Sequence, residues 1–224
     1  MIRAMDPASY EGRPLVADTN VWIDCLVGLE AYRINARKKK SRKRLPNPAA
    51  MAALLDRAVA GGNLRVPSVI AKEVYGVARY KISPDHGIDL GKNRDKILGR
   101  AARKARRIFD GIPMPTDYDR GAYRAAEGAY AAARTDPGAA AERDRWSMIK
   151  HHAPWAALDA GTRRTQPPHG GTKDIEILAT AVLAAGAGRS VLASRDADIA
   201  AFAGTIGRLL PVDVLDASSP PWRV

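Results

Sequence analysis

Five acidic residues could carry chemistry, because each stands where a predicted strand ends or a predicted helix begins. They are Asp18, Glu73, Asp174, Asp196 and Asp198. The carboxyl ends of parallel strands meet at one edge of a sheet, where open α/β folds place their ligand sites. Carboxylates gathered there repel one another unless a cation neutralises them. Because hard divalent ions choose carboxylate oxygens, this arrangement predicts a metal site.

Each of these acids also has a purely structural interpretation. Asp18, Asp196 and Asp198 are of a residue type that caps helices and forms turns. Asp174 would favour the N-terminus of a helix, and Glu73 would be a solvent-facing helix residue. These alternatives stay open for each acid taken singly, whereas the shared placement of the whole set favours a common site.

The positive charge of the chain is concentrated in two segments. The 224-residue sequence has 36 Lys and Arg against 24 Asp and Glu, a formal net charge of +12. Residues 33–44 hold eight basic residues and no acid, and residues 91–107 hold eight basic residues and one acid, Asp95. Such basicity indicates a polyanionic partner, nucleic acid before membrane. An acidic cluster beside these segments predicts metal-assisted cleavage of a phosphodiester bond.

Eight basic residues in these two segments are the predicted contacts to an RNA backbone. They are Lys38, Lys39, Lys40, Arg42, Arg100, Arg103, Lys104 and Arg107. Within residues 93–110 the apolar residues repeat at helical spacing, so the last four basic residues would project from the opposite face of that helix. Contacts of this kind follow the backbone and carry little sequence information. A solvated charged surface is the alternative for both segments.

Predicted strands alternate with predicted helices along most of the chain. The strands are predicted at residues 14–17, 64–67, 111–115, 190–194 and 209–216. The pattern predicts an α/β fold with a mostly parallel sheet that helices cover on both faces. A further helix is predicted over 139–158 and a loop over 160–173, which includes His169, a residue that could approach the acids.

The length and composition fit one domain. We expect a single domain over residues 1–224, with a basic loop at 33–44 and inserted helices around 134–168. The one cysteine, Cys25, excludes an internal disulfide. The sequence contains no apolar run of 18 residues and no signal-peptide core. We therefore expect a soluble, cytoplasmic protein without a membrane partner.

Four sequence blocks occur in the order found in the PIN-domain ribonucleases. They are VADTNVWID, VPSVIAKEV, GTKDIEILATAV and VLASRDADI, and the likeness covers about residues 14–80 and 170–215. The first and last blocks are the more specific, a strand ending in Asp-Thr-Asn and a strand ending in Ser-x-Asp-x-Asp. On these blocks the chain resembles the PIN-domain ribonucleases, with the VapC-type toxins of toxin–antitoxin pairs as the most similar subgroup.

The resemblance implies a three-layer α/β fold, a Mg²⁺ or Mn²⁺ site and endoribonuclease activity, with structured RNA such as tRNA among the candidate targets. It implies that the metal-binding acids are Asp18, Asp174 and Asp196, supported by Asp198. Glu73 would complete the set through a water or as proton acceptor. The small polar residues that would orient the first acid are Thr19, Asn20 and Ser194. Family members commonly form homodimers, and the toxins are silenced by an antitoxin peptide lying across the groove.

The chain departs from a minimal toxin in its central part. The stretch between Glu73 and Asp174 is much longer, and residues 134–168 look like an insertion that could cover the groove or recognise a particular RNA. Two other functions stay open. One is a catalytically silent, RNA-binding PIN-like adaptor, and the other is a DNA-acting flap-type nuclease.

Overall fold

A parallel sheet of short strands forms the centre of the computed structural model, which describes residues 12–35, 48–80, 90–112, 118–165 and 172–217. The strands in these ranges are β1 (Leu15–Ala17), β2 (Leu64–Arg65), β3 (Ser190–Ser194) and β4 (Val212–Asp216). Their order is β2-β1-β3-β4, and every neighbouring pair runs parallel. All residues of β1 and β3 are buried, as expected for strands covered on both faces. The predicted α/β fold is confirmed.

Helices make up most of the described chain. They are α1 (Thr19–Ile23), α2 (Leu29–Asn35), α3 (Pro48–Ala60), α4 (Ser68–Tyr80), α5 (Arg94–Asp110), α6 (Arg120–Thr135), α7 (Ala140–His151), α8 (Ala160–Thr165), α9 (Thr172–Ala185), α10 (Ala197–Ala200) and α11 (Ala203–Leu209). A π-helical stretch, Asp24–Gly28, joins α1 to α2. Within these ranges no helix has the length and apolar character needed to cross a membrane.

The helices form two layers around the sheet. On one side the π-helical stretch packs against α3 and α5. On the other side α9 packs against β1, β3 and β4, and α6 packs against α9 and α11. The connections from β1 to β2 and from β3 to β4 run in opposite directions along the sheet, and the usual right-handed crossover therefore places them on opposite faces. The result is the expected three-layer α/β arrangement.

The carboxyl ends of β1 and β3 lie side by side. Ala17 pairs with Ala193, so Asp18 and Ser194 are the next residues at this edge. From these two strands the chain departs toward opposite sides of the sheet. Such a switch in strand order opens a crevice that binds ligands in open α/β folds.

Two predicted boundaries in the central segment are wrong. The helix predicted over 139–158 ends at His151, because His152 adopts a left-handed conformation with φ of 55°. The loop predicted over 160–173 contains α8, whose start is capped by the Asp159 carboxylate, which accepts the Thr162 N–H. Of the strand predicted at 111–115, the first two residues form a turn and a bend, and the other three lie outside the described residues.

Candidate metal centre

Asp18 places a buried carboxylate at the end of β1. Its backbone N–H donates to the Ala193 carbonyl at 2.9 Å and so extends the sheet ladder by one residue. Its Oδ1 accepts the Thr19 backbone N–H at 2.5 Å. Its Oδ2 accepts from Asn20 Nδ2 at 2.9 Å and from Ser194 Oγ at 2.6 Å. The three small polar residues predicted to orient Asp18 therefore all bond its carboxylate.

The same small polar residues connect Asp18 to other candidate acids. Thr19 Oγ1 donates to Glu73 Oε2 at 2.6 Å. Ser194 Oγ, which donates to Asp18, also accepts the Asp196 backbone N–H at 3.0 Å. One hydrogen-bonded network thus links three acids that come from widely separated parts of the chain.

The neighbouring acids also affect the pKa of Asp18. The pKa of Asp18 is raised from 3.8 to about 6. Burial is the main cause and the charges of Asp196 and Glu73 add to it, while the bonds from Ser194 and Thr19 lower the pKa. A carboxylate in these surroundings is stabilised by a nearby cation, which favours its ionised form.

The two acids that follow β3 hold a lysine from the segment predicted as an insertion. The Lys150 ammonium, near the end of α7, lies 2.9 Å from Asp198 Oδ2 and 3.3 Å from Asp196 Oδ1. Trp146, one turn earlier on α7, donates its Nε1–H to Asp198 Oδ1 at 2.5 Å. Sequence reasoning missed Lys150 because no local pattern signals a contact to acids that follow it by 46 and 48 residues.

Glu73 and Asp174 complete the predicted set. Glu73 Oε1 pairs with the Lys173 ammonium, and Asp174 lies in the first turn of α9. The structural interpretations of the acids hold as well, because Asp18 caps α1 and Asp196 caps α10. Capping and site formation are therefore compatible roles for these residues.

Tyr130 brings a buried hydroxyl to the acids. This residue of α6 is 2% exposed, and its hydroxyl has no hydrogen-bond partner among the residues of the described chain. Burial raises the pKa of Tyr130, and the charges of four acids raise it further; these are Asp174, Asp198, Asp18 and Asp196. A buried polar group without a partner costs roughly 1–3 kcal/mol.

The chemistry of these residues fits a hard divalent ion. The donors are carboxylates, the ligand type that Mg²⁺ and Mn²⁺ prefer. In the part of the chain that the structure describes, no three Asp, Glu, His or Cys side chains already stand in the arrangement that holds a metal ion. Lys150 and Lys173 supply positive charge to the cluster in this arrangement.

A second buried carboxylate supports the site from the π-helical stretch. Asp24 is 8% exposed, and its Oδ2 lies 3.2 Å from Arg195 Nε. Burial raises the pKa of Asp24 to about 6, although the Arg195 charge opposes this rise. Because Arg195 lies between Ser194 and Asp196, the pair fixes the turn that presents Asp196. Asp24 has no local sequence signal, because it lies inside an apolar helical pattern that does not indicate a π-helical turn.

The basic residues predicted on α5 differ in their exposure. Arg100, Arg103 and Arg107 are exposed, whereas Lys104, two turns after the buried Ile97, is half-buried. RNA contact by these residues stays a prediction. The other candidate RNA contacts and one candidate site residue lie outside the described residues; they are Lys38, Lys39, Lys40, Arg42 and His169.

Comparison of the chain with protein families, with curated proteins and with solved structures gives no match. The resemblance to PIN-domain ribonucleases therefore stays a prediction that rests on the four sequence blocks.

Proposed function

We propose that this chain is a divalent-metal-dependent endoribonuclease that hydrolyses RNA phosphodiester bonds, as PIN-domain ribonucleases do. The observation that carries the proposal is the convergence of acids at the crevice between β1 and β3. Asp18, Glu73 and Asp196 share one hydrogen-bonded network, and Asp174 follows Lys173, whose ammonium pairs with Glu73.

The proposal gives each acid a role. Asp18, Asp174 and Asp196 would hold the ion, with Ser194 fixing the carboxylate of Asp18 by its 2.6 Å bond. A bound Mg²⁺ or Mn²⁺ ion would polarise the phosphate and lower the pKa of the attacking water. Glu73, which Thr19 positions, would accept the proton that this water loses.

The finer parts of the proposal rest on the resemblance. In a toxin–antitoxin pair, the partner would be an antitoxin peptide lying across the crevice, and the nuclease would form a homodimer. The lysines that pair with Glu73, Asp196 and Asp198 favour one competing function, an RNA-binding adaptor without catalysis, because such a protein needs no metal among its acids.

We expect purified protein to cleave total small RNA with Mg²⁺ or Mn²⁺ and to be inactive in EDTA. Asp174→Asn should reduce the cleavage rate by about a thousand-fold or more, because a ligand charge is removed while the side-chain shape is kept. The matched control is Asp56→Asn, which changes an exposed acid of α3 and should cleave as wild type does.

Three outcomes separate the functions. Metal-dependent cleavage by wild type and Asp56→Asn, but not by Asp174→Asn, would support the nuclease. RNA binding without cleavage by any folded protein would contradict it and favour the adaptor. Faster cleavage of a DNA strand than of the matched RNA strand would favour the flap-type nuclease.

Neutralising basic residues of α5 should weaken RNA binding. For the triple substitution of Arg103, Lys104 and Arg107 by alanine, we expect the slope of log K against log salt to fall by about 2, since each contact to single-stranded RNA contributes about 0.7. Filter binding over a salt series measures this slope. Arg124→Ala, an exposed residue of α6, is the control, and an unchanged slope in the triple variant would remove α5 from the RNA-binding surface.

A further inference from the structure

Helix α7 is joined to α11 and to the end of β4 by hydrogen bonds and an ion pair. Glu142, in its first turn, accepts the Gly204 N–H at 2.7 Å and the Thr205 hydroxyl at 2.5 Å at the start of α11. Arg145 pairs with Asp216 at the end of β4 at 2.8 Å. These contacts fix the position from which the later residues of α7 reach the acidic cluster.

Both carboxylate oxygens of Asp198 are engaged by α7. Oδ1 accepts from Trp146 Nε1 and Oδ2 accepts from the Lys150 ammonium. The Lys150 ammonium is a cation that already neutralises the Asp198 carboxylate at 2.9 Å, whereas the three donors to Asp18 carry no charge. This geometry makes Asp198 an anchor for Lys150, although the resemblance implied a supporting metal ligand at this position.

Lys150 leaves room for an ion on the neighbouring acid. Both the lysine and the Asp198 backbone N–H bond the same atom, Asp196 Oδ1. Asp196 Oδ2 has no hydrogen bond to any residue that the structure describes, and the side chain is 36% exposed. A divalent ion on Asp196 Oδ2 and the ammonium on Oδ1 are therefore compatible.

We propose, building on the nuclease function above, that Lys150 is a catalytic residue that binds a non-bridging oxygen of the scissile phosphodiester. Its side chain is 36% exposed, so an anion can reach it. Two of its three N–H groups bond Asp198 and Asp196, which leaves one N–H for a further acceptor. The acids of the crevice repel a phosphodiester, and an ammonium is a compact charge that binds phosphate oxygens. The proposed contact is made by a residue of the segment at 134–168, whose role the sequence leaves open.

The test is single-turnover cleavage of a defined single-stranded RNA with Mn²⁺. Lys150→Met should lower the rate constant by about 100-fold, the effect of removing one donor to a developing negative charge. Lys150→Arg, which keeps the charge, should recover most of the rate. Arg124→Met, which removes one charge from the exposed side of α6, should cleave as wild type does. Mn²⁺ affinity, measured by calorimetry, should be no weaker in the three variants than in wild type.

Sulfur substitution gives a readout that a structural role would not change. Replacing a non-bridging oxygen at the cleaved bond by sulfur should slow wild type more than Lys150→Met, because the variant has already lost the contact. Lys150→Gln, which keeps a donor to Asp198 but no charge, replaces Lys150→Met if that variant does not fold.

The outcomes are distinct. Cleavage by the neutral variants at the wild-type rate or faster would overturn the proposal. Faster cleavage would show that the lysine inhibits the enzyme by occupying the acidic site. Loss of Mn²⁺ binding in Lys150→Met would also overturn it, because the lysine would then maintain the metal site. If wild type neither binds Mn²⁺ nor cleaves RNA, the proposed nuclease function itself fails.

Discussion

Asp18→Asn is expected to reduce metal-dependent cleavage by about a thousand-fold or more without lowering the free energy of unfolding at pH 7. The two effects have one cause. The buried carboxylate at the end of β1 is needed to hold the ion, and in the metal-free protein its negative charge is unfavourable. Catalytic loss together with retained or increased stability would therefore mark Asp18 as a residue kept for function.

The size of the stability effect follows from the pKa of Asp18. Burial raises this pKa from 3.8 to about 6, so keeping the group ionised in the folded state at pH 7 costs about 3 kcal/mol. Asparagine removes the charge but cannot accept all three hydrogen bonds, each of which contributes about 1 kcal/mol. Urea unfolding at pH 7 measures the balance, and a loss of stability in Asp18→Asn would identify a structural carboxylate.

Asp213 is the control with the opposite expectation. Its carboxylate lies on β4, at the end of the sheet remote from the acids, and pairs with Arg13 and Arg189. Although partial burial raises its pKa, the bonds and charges of the two arginines outweigh this and lower the pKa overall. Asp213→Asn should therefore lower stability at pH 7 while cleavage continues, which separates loss of fold from loss of site.

Local sequence signals were sufficient to locate the four strands of the described sheet and to place Asp18 and Asp196 after two of them. The apolar runs before Asp18 and Asp196 are continuous because these strands are buried on both faces, and each run ends at a polar residue. The sequence left capping and site formation as alternatives for these acids. In the structure one oxygen of Asp18 caps a helix while the other bonds Ser194, so a single carboxylate satisfies both.

Local signals were not sufficient for contacts made across the fold. Lys150 and Trp146 reach Asp198 from α7, and the charges of four acids raise the pKa of the buried Tyr130 on α6. These pairings depend on how helices pack, and hydrophobic periodicity shows only which side of a helix is buried. The break at His152 was missed for a related reason, because a non-glycine residue in the left-handed region has only a weak sequence signature.

The stability of the metal-free protein is expected to fall as pH rises from about 4 to about 7. Asp18 and Asp24 both have a pKa of about 6 in the folded state against 3.8 in the unfolded chain. Between these values the folded state keeps protons that the unfolded state has released, so raising the pH favours unfolding by about 3 kcal/mol for each group. The pKa of Asp213 is lowered in the folded state, so this residue stabilises the protein as the pH rises. That gain in stability is complete above the unfolded pKa of 3.8, so it adds little between pH 4 and pH 7.

Mg²⁺ should abolish the loss of stability that Asp18 causes between pH 4 and pH 7, because an ion bound to the carboxylate favours its ionised form. The loss that Asp24 causes should remain, since its partner is Arg195, and Asp24→Asn should remove it. Urea unfolding at pH 4, 5, 6 and 7, with Mg²⁺ or with EDTA, measures both. The same decline under both conditions would show that Asp18 binds no ion. A decline that Mg²⁺ reverses would mean that the crevice keeps its acids at the expense of stability, as expected where binding a cation is their function.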